Sequence, residues 1–311
     1  MLCTRATAGL RGVHTSAARL SVKLAYEHFA PTAPRRIAPD TSSLVICHGL
    51  LCVAADSGSK QNWRSLARSM ARDFGVPVYT VDLRNHGESP HSASLAYADL
   101  ADDVKRFLDD HGLENTALIG HSLGGKVVMS VVLDPALEPG RVSRMVSVDM
   151  TPAEGRVSRD FFCYTERMIE IEDARCTSRT EADEMLQTVE KDPAVRMFLL
   201  TNLVRTDDGS ALRFRNPLKQ MLPALEGIGE FPYAVGDEST PPERTWPGPA
   251  LLVRGSNSKC VAADRFVNPR TIVAAERFFP NLEVVAMQTG HWCQAEQPGQ
   301  FKGHIRAFLD K

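Results

Sequence analysis

Short apolar runs alternate with amphipathic stretches along most of the chain. Apolar and mostly continuous runs at 44–47, 78–81, 117–119, 145–148, 251–253 and 282–285 predict mostly buried strands, and the alternation at 21–26 predicts a half-buried one. Helical periodicity at about 63–74, 95–111, 125–134 and 298–309 separates several of these strands. Strands that alternate with helices predict an α/β domain, with a mostly parallel sheet covered by helices on both faces.

The alternation stops between residues 151 and 246. Helical, charged stretches at 161–171, 179–189 and 193–204 are followed by loop signals at Pro241-Pro242 and Pro247-Gly248-Pro249. We interpret 151–246 as a helical cap over the mouth of an active site, inserted between core segments 21–150 and 247–311.

Composition fits one catalytic domain with an insertion. The chain has 311 residues, of which 43% are hydrophobic and 24% charged. Its formal net charge of −2 gives no electrostatic case for nucleic acid. The seven cysteines are odd in number and never form C-x-x-C, which predicts reduced thiols and no metal site. No run is apolar over the eighteen or so residues of a membrane span, so no transmembrane segment is expected.

The first twenty residues differ from the rest. They carry Arg5, Arg11 and Arg19 together with Ser, Thr and Ala, and the first acidic residue is Glu27. This composition is typical of a mitochondrial transit peptide, and the arginines interrupt the apolar core that a secretory signal needs. We therefore predict that residues 1–20 direct the protein to the mitochondrial matrix. The alternative is that they form a disordered basic tail.

Residues 120–124 read G-H-S-L-G between a predicted strand and a predicted helix. This is the nucleophile-elbow pattern G-x-S-x-G in the context that its chemistry requires. The sharp turn lifts the serine hydroxyl clear of the sheet, and the glycines leave room for the neighbouring backbone. Ser122 is therefore the predicted nucleophile, whereas a glycine-rich turn with a capping serine is the non-catalytic interpretation.

A nucleophilic serine needs a base, and the base needs a carboxylate that holds its tautomer. His291 follows the last predicted strand and is the predicted base; a histidine that caps the next helix is the alternative. The usual acid position after the penultimate strand holds Ser258, which cannot carry the charge. We predict Asp149, at the end of the strand after the elbow helix, as the acid; Asp264 and a capping role for Asp149 remain the alternatives.

Two backbone N–H groups are expected to hold the oxyanion. The first is that of Leu123, directly after the serine at a helix N-terminus. The second is that of Leu50, or of Leu51 one step on, in the loop after the strand at 44–47. His48 in the same loop is expected to bond backbone groups rather than to act as a second base.

These segments carry a resemblance to a known family. The motifs are VDLRNHGESPHS at 81–92, HGL at 48–50, GHSLGGK at 120–126, VDMTP at 148–152 and LLTNLV at 199–204. Together they resemble the group of α/β-hydrolases that includes mitochondrial abhydrolase-domain-containing protein 11, bacterial acyl-CoA esterases and fungal ethanol acetyltransferases. The resemblance covers the chain from about residue 21 onward. It implies serine-dependent hydrolysis of esters or thioesters without a cofactor, acyl transfer to an alcohol in the fungal branch, and Asp149 as the acid.

The pentapeptide CVAAD occurs twice, at 52–56 and 260–264, in places where the chain is longer than the resemblance predicts. A structural repeat of five residues is implausible, because structural repeats run to tens of residues. Our hypothesis is that two introns are retained in the gene model, which sequencing of the transcript would test.

The sequence thus predicts a serine hydrolase that cleaves a small-molecule ester or thioester through an acyl-enzyme and passes the acyl group to water or a short alcohol. Three alternatives remain open. A carbon–carbon hydrolase or haloperoxidase-like enzyme uses the same triad, and a lipase would differ in chain-length preference. A non-catalytic mitochondrial binding protein on a hydrolase fold is the third, because a fold alone does not imply activity.

Overall fold

The computed structural model describes residues 21–50, 60–155, 157–237, 239–258 and 267–311. The predicted targeting segment 1–20 and both predicted insertions lie outside these ranges, as do Leu51 and Asp264. Within the described ranges, no helix combines the length and the apolar character that crossing a bilayer requires.

Seven strands form one sheet. They are β1 (Tyr26–Phe29), β2 (Ser43–Cys47), β3 (Val78–Val81), β4 (Thr116–His121), β5 (Val142–Val148), β8 (Ala250–Gly255) and β9 (Leu282–Met287). Their order in the sheet is β1-β3-β2-β4-β5-β8-β9, and all neighbours run parallel except β1, which pairs antiparallel with β3 at one edge. The predicted α/β class and the six apolar strands are confirmed.

The prediction of a strand at 21–26 was wrong except for its last residue. The backbone N–H of Val22 donates to Asp103 Oδ1 at 2.6 Å, and that of Ala25 donates to Ser89 Oγ at 2.8 Å. Both N–H groups therefore bond side chains instead of a neighbouring strand. Pairing with β3 begins only at Tyr26, opposite Val81.

The predicted helices are present with small shifts at their ends. Three of the four core helices predicted from periodicity begin two or three residues from the predicted start, and the last one matches at both ends. The core helices are α1 (Lys60–Phe74), α2 (Tyr97–Asp110), α3 (Leu123–Leu133), α8 (Pro269–Phe278), α9 (Cys293–Glu296) and α10 (Pro298–Leu309). The short α9 and the helix α8 were not predicted.

Helices cover both faces of the sheet because successive strand residues point to opposite faces. Val45 and Cys47 of β2 belong to the apolar cluster that includes α2 and α3. Leu44 and Ile46 belong to the other cluster, which includes α1 and α10. The strand residues are therefore buried on both sides, which explains their unbroken apolar sequence.

The inserted segment, residues 151–246, leaves the core after β5 and returns at β8. Its elements are α4 (Arg159–Asp173), α5 (Arg179–Leu186), α6 (Pro193–Leu200), the hairpin of β6 (Leu203–Arg205) with β7 (Leu212–Phe214), and α7 (Leu218–Met221). The sequence did not predict the hairpin, because the helix predicted at 193–204 covers the start of β6, whereas α6 ends at Leu200. Buried residues such as Met168 of α4 and Leu186 of α5 share one apolar cluster with the core helix α3.

Candidate active site

Ser122 lies on the turn between β4 and α3. Its backbone has φ 54° and ψ −117°, a conformation that costs a non-glycine residue about 1–3 kcal/mol. Its N–H donates to the Val148 carbonyl at 3.0 Å, which ties the turn to β5. A Cβ on Gly120 would lie 2.0 Å from the Gly124 carbonyl oxygen, and one on Gly124 would lie 2.3 Å from the Cys47 carbonyl oxygen, so Gly120 lets the turn close and Gly124 lets it approach the end of β2. Ser122 is partly exposed although its neighbours in β4 and α3 are buried.

The loop after β2 packs directly against this turn. A Cβ placed on Gly49 would lie 3.2 Å from the Ser122 Cβ, so the backbone passes close to the serine. The Gly124 N–H donates to the His48 carbonyl at 3.1 Å and fixes the loop against α3. Leu50 follows in this loop, while Leu123 is the first residue of α3, where N–H groups have no acceptor within the helix. The two N–H groups predicted to hold an oxyanion thus belong to the segments that flank Ser122.

Asp149 and His291 are brought together. His291 Nδ1 lies 2.6 Å from Asp149 Oδ2, and the Asp149 side chain is fully buried. Asp149 stands directly after β5 with φ 51°, and its N–H donates to the Val253 carbonyl of β8 at 2.7 Å. Because a carboxylate only accepts hydrogen bonds, Nδ1 carries the proton, and Nε2 of the neutral ring is the basic nitrogen.

Ser258 also contacts this carboxylate. Its hydroxyl donates to Asp149 Oδ2 at 2.6 Å, and the Gly255 N–H donates to Oδ1 at 2.9 Å. The serine at the usual acid position therefore donates a hydrogen bond to Asp149, the residue that the sequence predicts as the acid. From the sequence, Ser258 was noted only because it lacks the negative charge usual at this position. Its role as a hydrogen-bond donor to Asp149 was not predicted.

His121 links the elbow to the loop that carries His291. Its Nε2 donates to the His291 carbonyl at 2.9 Å, and the two rings lie 4.7 Å apart. Since His121 immediately precedes Ser122, this bond places His291 beside the serine turn. Burial lowers the pKa of His121 to about 3, so the ring stays neutral and structural.

His48 and His86 are neutral for the same reason. Burial lowers the pKa of His48 to about 4 and that of His86 to about 3. His48 Nδ1 donates to the Gly49 carbonyl at 2.8 Å, and its Nε2 accepts from the Leu83 N–H at 3.0 Å. Both ring nitrogens are bound to backbone, as expected for a residue that shapes the loop.

The inserted segment reaches the site at two points. The Phe198 ring of α6 lies 5.6 Å from the ring of Trp292, which follows His291. Lys126 of α3 is fully buried and donates to the carbonyls of Gly229 at 3.0 Å and Glu230 at 2.8 Å. These contacts fasten the inserted segment to the strand ends where Ser122, Asp149 and His291 meet.

Metal-binding chemistry has no support in the described part of the chain, where no group of three or more His, Cys, Asp or Glu side chains is arranged to hold an ion.

Comparison with known proteins identifies relatives of this chain. The sn-1-specific diacylglycerol lipase ABHD11 of Xenopus tropicalis is 34% identical over 308 residues, covering 97% of this chain and 86% of the relative. The probable alcohol acetyltransferase of Saccharomyces cerevisiae is 35% identical over 284 residues, covering 86% and 77% of the two chains. A solved marine microorganism esterase superposes with a TM-score of 0.76 at 26% identity, covering 93% of this chain and 100% of the esterase. These similarities confirm the resemblance inferred from the motifs.

A family model described as the alpha/beta hydrolase fold matches residues 43–298, most of the chain. The sheet order, the serine turn between β4 and α3 and the relatives all agree with this match, and the chain belongs to the α/β-hydrolase fold family.

Proposed function

We propose that the protein is a serine hydrolase that cleaves carboxylic ester or acyl-thioester bonds through an acyl-enzyme. The observation that carries the proposal is the 2.6 Å contact between Asp149 and His291, made beside the strained turn that presents Ser122. Strain of this kind persists at functional sites because the surrounding structure holds it in place.

In this mechanism each residue has one task. His291 Nε2 takes the proton of the Ser122 hydroxyl as its oxygen attacks the acyl carbonyl carbon, and returns it to the leaving alcohol or thiol. Asp149 holds the ring tautomer and stabilises the imidazolium that forms. The N–H groups of Leu50 and Leu123 bind the oxyanion. A second proton transfer through His291 then releases the acyl group to water.

Cys47 and Cys293, the two described cysteines near the site, are not expected to act as nucleophiles in place of Ser122. Burial raises the pKa of the Cys47 thiol to about 12 and that of Cys293 to about 11. The thiolate is the reactive form, so both stay unreactive at neutral pH.

The relatives favour two fates for the acyl group. One is named as a diacylglycerol lipase and another as a probable alcohol acetyltransferase. The first name supports hydrolysis of a carboxylic ester, and the second supports transfer to a short alcohol. We propose that residues 151–246 act as a cap whose exclusion of water sets the ratio of the two products.

Labelling with a fluorophosphonate probe tests the nucleophile. We expect covalent modification at Ser122, mapped by mass spectrometry, and no modification of a folded Ser122→Ala variant. Ser210→Ala, which changes an exposed serine of the β6–β7 hairpin, serves as the control and should label like the parent. Equal labelling of Ser122→Ala would refute the assignment. Acetyl transfer is then measured as ethyl acetate formed from an acetyl ester in the presence of ethanol.

We also propose that residues 1–20 direct the protein to the mitochondrion, on the basis of their arginines and lack of acidic residues. A reporter fused to residues 1–25 should co-purify with mitochondria, and its retention in the cytosol would contradict the proposal.

A further inference from the structure

A cleft of about 560 Å³ lies between the loop at 87–91 and the β6–β7 hairpin of the inserted segment. The loop follows β3, and the hairpin side contributes three arginines: Arg205, Arg213 and Arg215. Neither the nucleophile nor its partners line this cleft, and the mechanism above does not use it.

The cleft is positively charged. Three arginines and one carboxylate, that of Glu88, give a formal local charge of +2, whereas the whole chain carries −2. A concave surface lined by one sign of charge concentrates ligands of the opposite sign.

The arginines are available to a ligand. Arg215 is half-buried and forms no ion pair with any residue that the structure describes. Arg205 reaches the Gly209 carbonyl at 3.4 Å, a long contact. Arg213 lies 3.9 Å from Asp207, but the Asp207 side chain is fully exposed, and such surface pairs contribute little. Glu88 in the lining and Glu172, which interacts electrostatically with Arg213, are the carboxylates with which an anion would compete among the residues that the structure describes.

The cleft is joined to the proposed oxyanion loop by direct contacts. Asn216, which follows Arg215, donates to the Asn85 carbonyl at 3.2 Å. In the same loop, the Leu83 N–H donates to His48 Nε2 at 3.0 Å. His48 precedes Gly49, whose backbone lies against Ser122. The loop after β3 thus lies between the arginines of the cleft and the loop that is proposed to bind the oxyanion.

We propose that this cleft binds a phosphate group carried by the leaving portion of the acyl donor. The proposal rests on the serine hydrolase function and specifies its substrate class: phosphorylated esters or thioesters. Guanidinium groups bind phosphate oxygens in bidentate fashion, and a phosphate monoester carries about −1.5 to −2 charges at pH 7, which matches the local charge.

Matched substrates that differ by one phosphate test the proposal. The thioester pair is S-acetylpantetheine and S-acetyl-4′-phosphopantetheine, and the ester pair is 1-acylglycerol and 1-acylglycerol 3-phosphate. In at least one pair we expect the phosphorylated member to have a KM about tenfold lower, the size of one charge-assisted hydrogen bond. Arg215→Gln should abolish this preference and leave kcat/KM for the unphosphorylated member unchanged. The control Arg244→Gln, an exposed arginine outside the cleft lining, should keep the preference.

The same pairs are also titrated calorimetrically into the Ser122→Ala variant, which reports binding without turnover. Tighter binding of the phosphorylated member to this variant would support the cleft even if the protein had no hydrolase activity. The titration therefore separates failure of the phosphate proposal from failure of the proposed hydrolase function. Equal affinity within both pairs, or a preference that survives Arg215→Gln, would overturn the proposal. It would also be overturned if millimolar inorganic phosphate changed the turnover of the unphosphorylated substrates while neither pair showed a preference, because the cleft would then bind a free effector.

Discussion

Replacing Asp149 by Asn changes one oxygen of the buried carboxylate into an amide nitrogen. The structure determines which way the amide must face, because the Gly255 N–H donates to Oδ1 at 2.9 Å and needs an acceptor there. The amide oxygen therefore stays at Oδ1, and the NH2 group takes the place of Oδ2, where it faces Ser258 and His291.

This orientation reverses the hydrogen bond to the imidazole. An amide NH2 can only donate, so His291 Nδ1 must accept and the ring proton moves to Nε2. In that tautomer Nε2 cannot take the Ser122 proton. The expected loss of turnover is about 10⁴-fold, equivalent to about 5 kcal/mol in the activation free energy. Folding should survive, since the Gly255 bond remains and the Ser258 hydroxyl can rotate to accept from the amide.

The assay is steady-state hydrolysis of a short-chain nitrophenyl ester, after circular dichroism has shown that the variant is folded. Asp264→Asn is the matched control and should retain near-normal turnover, because it lies in a predicted insertion. If Asp149→Asn kept its activity while Asp264→Asn lost it, the acid would come from the loop after β8 and our reasoning on the tautomer would be refuted.

Three further outcomes are expected. Ser258→Ala removes one of the three described donors to the Asp149 carboxylate. The free energy of unfolding in urea should therefore fall by about 2 kcal/mol, while turnover drops less than tenfold. Unchanged stability would contradict the hydrogen bond from the Ser258 hydroxyl to Asp149. His48, His86 and His121 have pKa values lowered by burial to about 4, 3 and 3, so the unfolded chain binds more protons below pH 6.5. Unfolding free energy should therefore fall by about 2 kcal/mol per histidine between pH 7 and pH 5, and equal stability at the two pH values would show that the rings are not buried neutral. Lys126→Met keeps the apolar stem but loses the bonds to Gly229 and Glu230, so limited proteolysis at 222–235 should accelerate; protection equal to the parent would argue against this anchor.

The sequence predicted the fold well where burial imposes a simple pattern. Most residues of the parallel strands are buried under helices on both faces, and mostly apolar runs located all six of them, including the partly exposed β9. Prediction failed at β1, where side chains of Ser89 and Asp103 accept from the N–H groups before the strand and pairing with β3 begins only at Tyr26. The β6–β7 hairpin was missed because its strands have three residues each, too short for periodicity to register.

The parts of the candidate site that depend on neighbouring residues were easier to predict from the sequence than those that depend on distant ones. The serine turn is encoded in five consecutive residues, because Gly120 must avoid backbone of the turn itself and Gly124 must avoid backbone at the end of β2. The Asp149–His291 contact joins residues 142 positions apart and was inferred from chain order and family resemblance. The donor role of Ser258 had no sequence signal of its own, since a serine hydroxyl serves many purposes and only the sheet brings it against the carboxylate.

The two CVAAD segments follow shortly after Leu50, in the proposed oxyanion loop, and Ser258, which bonds Asp149. Contacts among described residues hold the chain just before each segment. Gly49 is held between His121 and Ser122, and Ser258 bonds the Gly255 carbonyl at 3.2 Å as well as the Asp149 carboxylate. These contacts connect residues that precede the two CVAAD segments to the serine turn and to the Asp149 carboxylate. If the first insertion is translated, it lengthens the proposed oxyanion loop, and we expect slower turnover than in a protein made without it.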